Sequence, residues 1–364
     1  MSEKSEYFKF VDYPKVENWR SGDMKGFAVA TSSLPSSRSI VVNPSGSWSH
    51  VNFPDVSFRM VTEGPGHKPW LAEWWYQETG HPYFDVVAWD TGLAAINDLI
   101  STGHMPIIFT DDITVHDYAW FSDPVSRESL NKGFGELCEK HGMAITGGET
   151  ASLPFLMNPR APLKDSLSLS ASVVGILNPS RREIENRVGP GDRILGSPSS
   201  GAHVNGYSMI IDRGMELSKK FLTILKNGSM LGQEAMKPTV SYAKLVEALM
   251  YEKVTIKGLL PSTGDGLRKL LRMGEFTFNI DKWVEVPEIF RFMRSLGVTQ
   301  TDCLTTFNWG IGYYFFVPKS EAPQAIVVAA AAGYPLFDLG FVEEGPPQVN
   351  FEPEGIALSP RKDE

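Results

Sequence analysis

Five short segments of this chain combine glycines, amides and carboxylates in ways that could handle phosphate. The first is Thr62-Glu63-Gly64-Pro65-Gly66-His67-Lys68. Its glycines let the backbone approach an anion closely, Lys68 adds positive charge, and Glu63 could hold a cation. The same stretch also fits a plain turn. The second group is Asp90, Asn97-Asp98 and Asp111-Asp112. Carboxylates at element ends can converge on Mg²⁺, which favours a few carboxylates with phosphate oxygens and water. Asp90 serves equally as a helix N-cap, and Asp98 as a solvated residue. The third is Gly147-Gly148-Glu149-Thr150, either a nucleotide–metal edge or a tight turn with a surface Glu149. The fourth, Ser199-Ser200-Gly201-Ala202-His203-Val204-Asn205-Gly206-Tyr207, puts small residues and amides ahead of an apolar stretch. That arrangement suits an anion pocket, with His203 as a catalyst or a hydrogen-bonding brace. The fifth, Thr305 to Gly312, sets Asn308 between an aromatic residue and two glycines, as a site residue or a bulge.

The surrounding periodicities say what must position these segments. Ser57–Val61 reads as a strand entering the first glycine turn. Leu93, Ile96, Leu99 and Ile100 share one face of a helix expected over Thr91–Thr102, with Gly103 as its C-cap. Pro106–Thr110 reads as a buried strand ending at Asp111. A helix starts near Ser126 and stops at Gly142. Met143–Ile145 is a short strand before a Gly147-Gly148 turn, and Leu167–Ile176 a longer strand. The polar turn Arg187–Asp192 divides the chain into residues 1–187 and 188–364. Beyond it, Arg193–Leu195 and Tyr313–Val317 read as strands, and Glu321–Ala332 as a helix. Residues 1–50, rich in Ser, Pro and Gly, read as loops, short strands and an N-terminal arm. The sum is an α+β chain of two halves.

Composition excludes several roles. With 364 residues, 42% hydrophobic and 21% charged, the chain suits a globular protein of two domains. A net charge of −9 disfavours general nucleic-acid binding, which needs clustered Lys and Arg. The N-terminus lacks a signal-peptide core, and no apolar run is long enough for a membrane helix. Cys138 and Cys303, far apart, fit a reduced cytoplasmic protein.

The order of the segments carries a resemblance. TEGPGHK, INDLISTG followed by Asp111, GGETASLP, SSGAHVNGYS and TFNWGIG resemble the TDGVGTK, VNDL, GGETAEMP, SSGPHSNGYS and TFNCGVG motifs of the aminoimidazole ribonucleotide (AIR) synthase family, over residues 57 to 350. The resemblance implies an N-terminal mixed-sheet domain that binds ATP and forms a homodimer, a C-terminal α+β domain, and an active site in the cleft between them. It also implies the reaction: formylglycinamidine ribonucleotide is cyclised to AIR, with ATP converted to ADP and phosphate. Transferred by position, Gly64, Gly66, Lys68, Gly147, Gly148, Ser200 and Gly201 would bind nucleotide. Glu63, Asp90, Asp111 and Glu149 would hold Mg²⁺. His203, Asn205 and Asn308 would face the substrate. Three departures stand out. Glu63 replaces the family's Asp, and a Ser- and Pro-rich stretch replaces its early glycine-rich one. The family's HLTGGG appears as Pro261-Ser262-Thr263-Gly264-Asp265-Gly266. This last turn resembles SDGL of thiamine-monophosphate kinases, so Asp265 is expected either to bind Mg²⁺ or to cap a helix beginning near Leu267. A related kinase, or a catalytically silent dimeric binding protein of the same fold, are the alternatives.

Overall fold

The computed structural model describes residues 39–42, 49–52 and 56–361; most of the expected N-terminal arm lies outside them. The first sheet contains β1 (Ser39–Val42), β2 (Ser49–Asn52), β3 (Ser57–Glu63), β4 (Met105–Val115), β5 (Ala144–Ser152) and β6 (Leu167–Leu177), in the order β1-β2-β3-β6-β4-β5. Only β4–β5 is parallel; the other pairs run antiparallel. β6 shows why one face is covered. Leu167, Leu169, Ala171 and Val173 are buried at every second position, while serines occupy the positions between. The buried face packs under α1 (Lys68–Thr79), α2 (Phe84–Leu99) and α3 (Pro124–His141). Val87, Ala88, Leu93, Ala95, Ile96 and Leu99 of α2 have no exposure, because this helix lies between the two sheets.

The second sheet contains β7 (Asp192–Pro198), β8 (Gly258–Pro261), β9 (Thr277–Ile280), β10 (Ile311–Pro318), β11 (Phe337–Glu343), β12 (Gln348–Phe351) and β13 (Ile356–Leu358). Their order is β13-β12-β9-β11-β7-β10-β8. β10 is apolar without alternation and buried from Ile311 to Val317, as a strand covered on both faces must be. α4 (Tyr207–Glu216) follows the loop that leaves β7. The architecture is α+β in two domains.

Several local expectations change. α2 starts at Phe84 rather than Thr91, and its last residues, Ile100–Thr102, tighten into a 3-10 turn capped by Gly103. Asp90 therefore lies inside a helix. β4 continues past Thr110, so Asp111 is mid-strand rather than terminal. Gly147-Gly148 is no turn, because it pairs in parallel with Thr110-Asp111 inside β5. Gly148 packs against Asp111: a Cβ there would sit 1.8 Å from Asp111 Oδ1 and displace that carboxylate.

Candidate functional site in the cleft between the domains

Two glycine loops face each other across the cleft. One runs from Glu63 at the end of β3 to Lys68, the first residue of α1. Gly66 adopts φ 59°, and a Cβ there would lie 3.4 Å from Val204 O of the opposite loop. His67 Nδ1 and Ser208 Oγ are 2.8 Å apart and tie the loops together. The second loop, residues 199–206, ends at Gly206, whose φ of 78° and contact with Phe307 exclude a side chain. α1 and α4 thus begin on the two sides of the cleft, with their positive dipole ends at these loops; in α1 the first-turn amides are already taken, Lys68 N donating to Pro65 O and Trp70 N to His67 O, and Pro69 has none. Asn205 Nδ2 is buried beside them and has no acceptor among the described residues. Two helix N-termini and an unused side-chain donor suit an anionic phosphate.

Lys68 does not belong to this anion cradle, contrary to the expectation. It has no exposure, and its ammonium pairs with the Asp90 carboxylate and donates to His203 O at 3.2 Å and Lys237 O at 3.0 Å. The other Asp90 oxygen accepts from Thr239 N at 2.7 Å. Asp90 is therefore neither an N-cap nor an open metal ligand. Burial pushes its carboxyl up and the Lys68 ammonium down, against the attraction between them. Two helical turns on, Asn97 continues the same clamp. Its Nδ2 donates to Val240 O at 2.9 Å, and its Oδ1 accepts from Tyr242 N at 3.2 Å. Trp89 Nε1 donates to Thr239 O at 3.0 Å. The polar side of α2 thereby holds residues 237–242 of the second domain against the first. The spacing of Asp90 and Asn97 on one helical face was available in the sequence, but not the partner segment.

The four expected metal carboxylates do not converge. Asp111 stands level with Gly148, whereas Glu149 stands level with Asp112, on the other side of the sheet and exposed. No group of three or more His, Cys, Asp or Glu side chains placed to hold a metal occurs among the described residues. What remains is a pair. Glu63 and Asp111 are both in register with Ala171 of β6, one on each side, and share its face. Ala171 between them is buried, and burial raises the Asp111 carboxyl from its ordinary value. Two carboxylates with phosphate oxygens and water match the habit of Mg²⁺. Glu63 and Asp111 fit the ion, and Asp90 and Glu149 do not.

His203 and Asn308 are braces. His203 is buried at φ 56°, and its Nε2 accepts from Ser200 N at 3.3 Å. Burial, with the neighbouring Lys68 charge, pushes its pKa down to about 3, so it is neutral and poorly suited to donate a proton near pH 7. Asn308 is buried, with Oδ1 accepting from Ser199 Oγ at 2.8 Å and Gly310 N at 3.0 Å, and Nδ2 donating to Gly201 O at 2.7 Å. It shapes the Ser200-Gly201 turn from behind. Asp265 follows neither expectation. It takes φ 78°, makes no capping bond, and pairs with Arg361 at 2.7 Å and Arg268 at 3.7 Å. The helix after it is a 3-10 helix, Gly266–Met273. That segment carries a residue the motifs did not single out. Lys269 is buried, donates to Thr263 Oγ1, and lies within electrostatic reach of Asp98 and Glu63. A lysine on the buried side of an otherwise amphipathic run was the available signal.

Residues 60–177 match the N-terminal domain of the AIR synthase related proteins, and residues 189–350 match their C-terminal domain. The chain belongs to this family. A phosphoribosylformylglycinamidine cyclo-ligase of Alkaliphilus oremlandii is 32% identical over 273 residues, 73% of this chain and 77% of that protein. The family fold recurs in solved structures. One is the hydrogenase maturation protein HypE in complex with ATP, with TM-score 0.57 and 18% identity, covering 84% of this chain and 85% of that one. Another is thiamine-monophosphate kinase from Stenotrophomonas maltophilia K279a, with TM-score 0.56 and 17% identity, covering 89% and 88%. In this AIR synthase related chain, the glycine loops and Asn205 border the cleft, and Lys269 lies within electrostatic reach of Glu63. Lys68, Asp90, Asn97, His203 and Asn308 hold that cleft in shape.

Proposed function

We propose that this protein is an ATP-dependent cyclo-ligase that closes the imidazole ring of AIR from formylglycinamidine ribonucleotide. One observation carries the reading: two glycine loops, each opening a helix, face each other between the domains with Asn205 Nδ2 unpartnered beside them. The relatives named as cyclo-ligases support the choice of reaction. Amide oxygen is a poor leaving group. Transfer of the γ-phosphoryl of ATP to it makes an iminophosphate and ADP. The amine of the same molecule then attacks the imidate carbon, the C–O bond breaks, and phosphate departs as the nitrogen loses a proton. Holding that amine near the carbon gives the proximity advantage of an intramolecular reaction. The loop amides and Asn205 orient the phosphates, and Lys269 offsets charge from the second domain. When bound, Mg²⁺ supplies charge neutralisation at the phosphates, with Glu63 and Asp111 holding it.

The kinase alternative drew on the Asp265 turn, and Asp265 is occupied by Arg361 and Arg268. The protein with ATP, Mg²⁺ and formylglycinamidine ribonucleotide should give AIR and ADP in equal amounts. ADP formation with thiamine monophosphate, and none with this substrate, would reverse the choice. A homodimer belongs to the same reading. The face of the first sheet away from the helices exposes Met60 at 59%, an apolar contact available to a second copy. A mass of one chain at micromolar concentration would remove that part. No helix among the described residues is long and apolar enough to cross a membrane; a cytoplasmic location is part of the proposed reading.

A further inference from the structure

Lys68 and Lys269 are the two buried lysines among the described residues, and they are satisfied very differently. Lys68 has a carboxylate and two carbonyl oxygens. Lys269, 8% exposed, has one neutral acceptor, Thr263 Oγ1, on the turn just before its own 3-10 helix. An ammonium carries three N–H donors, and the remaining ones meet no acceptor among the described residues. Thr263 Oγ1, having accepted from Lys269, keeps its own proton, and that O–H also donates to no described residue. Asp98 and Glu63 act on Lys269 only through space. Asp98 Oδ1 is buried without a partner, yet the ammonium turns to Thr263. Asp265, in the same turn, is held by Arg361 and Arg268. Burial, more than any neighbouring charge, sets the Lys269 ammonium and lowers its pKa from the ordinary value. Lysine is seldom buried unless paired, because a desolvated charge with one neutral contact is costly.

We propose that Lys269 and Thr263 form a second phosphate subsite, contributed by the second domain, for a phosphate dianion other than those of ATP. The proposal rests on the cyclo-ligase reading, which brings a second phosphate into the cleft from one of two sources. The ribonucleotide carries a 5′-phosphate, and the phosphoryl group taken from ATP departs as inorganic phosphate. The glycine loops and Asn205 offer donors to one set of phosphates. Lys269 and Thr263 add unused N–H and O–H donors from a different turn, together with a positive charge. A phosphate dianion supplies the missing acceptors and the missing negative charge at once, through charge-assisted hydrogen bonds. Asp98 and Glu63 would repel such an anion by themselves, and a Mg²⁺ held at Glu63 offsets that repulsion. The same anion then has a metal on one side and an ammonium on the other.

The test is calorimetry on the full chain with D-ribose 5-phosphate, inorganic phosphate and D-ribose, in the presence of Mg²⁺ and a non-hydrolysable ATP analogue. Ribose 5-phosphate should bind with the analogue already in place, and ribose should not. Lys269→Gln keeps a donor for Thr263 and removes the charge. It should weaken ribose 5-phosphate at least about tenfold and leave the analogue within about twofold. Without ligand it should melt no lower than the parent, since a stranded charge is gone, whereas loss of a structural brace would lower melting. If Lys269→Gln melts lower or does not fold, Thr263→Val decides. It must weaken ribose 5-phosphate at least about fivefold at the parent's melting temperature, or the proposal falls. Ribose 5-phosphate binding at least about tenfold tighter than inorganic phosphate assigns the subsite to the ribonucleotide. Equal affinities, lost together in Lys269→Gln, assign it to the departing phosphate. The proposal is overturned if the ATP analogue displaces ribose 5-phosphate, if Lys269→Gln binds it as the parent does, or if neither phosphate binds up to roughly ten millimolar. AIR formation alongside any of those results keeps the reaction and removes the subsite. Binding through Lys269 without AIR formation keeps the subsite and removes the reaction.

Discussion

Replacing Lys68 by Met separates stability from nucleotide binding at the most occupied polar contact of the cleft. The substitution keeps the helix position and most of the volume but removes the ammonium. Asp90, with no exposure, then keeps only the bond from Thr239 N, while His203 O and Lys237 O lose a donor. Breaking a buried pair in this way costs about 3–5 kcal/mol. Against a usual stability of about 5–15 kcal/mol, that is a severe loss. The partial escape is protonation of Asp90, whose carboxyl burial already pushes up. A folded pKa raised above the unfolded one gives stability that is fully present below the unfolded pKa and lost as pH rises through the folded one. Lys68→Met should therefore regain stability in acid and lose it toward neutral pH. Lys68→Met/Asp90→Leu should recover most of the loss, because two matched apolar groups leave no charge stranded. Urea unfolding at several pH values, with the slope checked for constancy, measures all of this. A Lys68→Met midpoint within about 0.5 kcal/mol of the parent, together with lost ATP affinity, would refute the reasoning and return Lys68 to the phosphate site.

Gly148→Ala places a methyl 1.8 Å from Asp111 Oδ1, so it should weaken Mg²⁺-dependent turnover; unchanged turnover and Mg²⁺ requirement would remove Asp111 from the ion. Asn308→Ala strips Ser199, Gly201 and Gly310 of their partner and should cost about 2–4 kcal/mol with a raised KM for ATP, read by calorimetry and kinetics. Asp265→Asn should lower the melting temperature by uncoupling buried Asp265 from Arg361 and Arg268, leaving the Mg²⁺ requirement unchanged; the opposite pattern would make Asp265 a ligand. His203, pushed down to about 3 from an ordinary 6.5, takes up a proton only in the unfolded chain over that window. Its share of stability is complete above about 6.5 and falls away toward 3, and His203→Gln should flatten that slope in acid unfolding.

The sequence by itself determined the elements and the family. β6 announces its alternation and β10 its unbroken apolar run, and five motifs in order mark the AIR synthase related proteins. These signals are local: a period of two or a glycine beside a turn is visible within a few residues. Element limits are less legible: the 62–68 stretch reads as a turn although Lys68 opens α1, and Gly147-Gly148 reads as a turn although it pairs along β4. Tertiary structure alone decided what each polar motif residue does. Lys68 meets His203 across 135 residues, and Asp90 meets Thr239 across 149. Asp111 and Glu149 part because a strand sends successive side chains to opposite faces, so their fate hangs on a one-residue register. A buried charge or amide must find a partner wherever the fold brings one, and that partner is fixed by packing between domains rather than by neighbours in the chain.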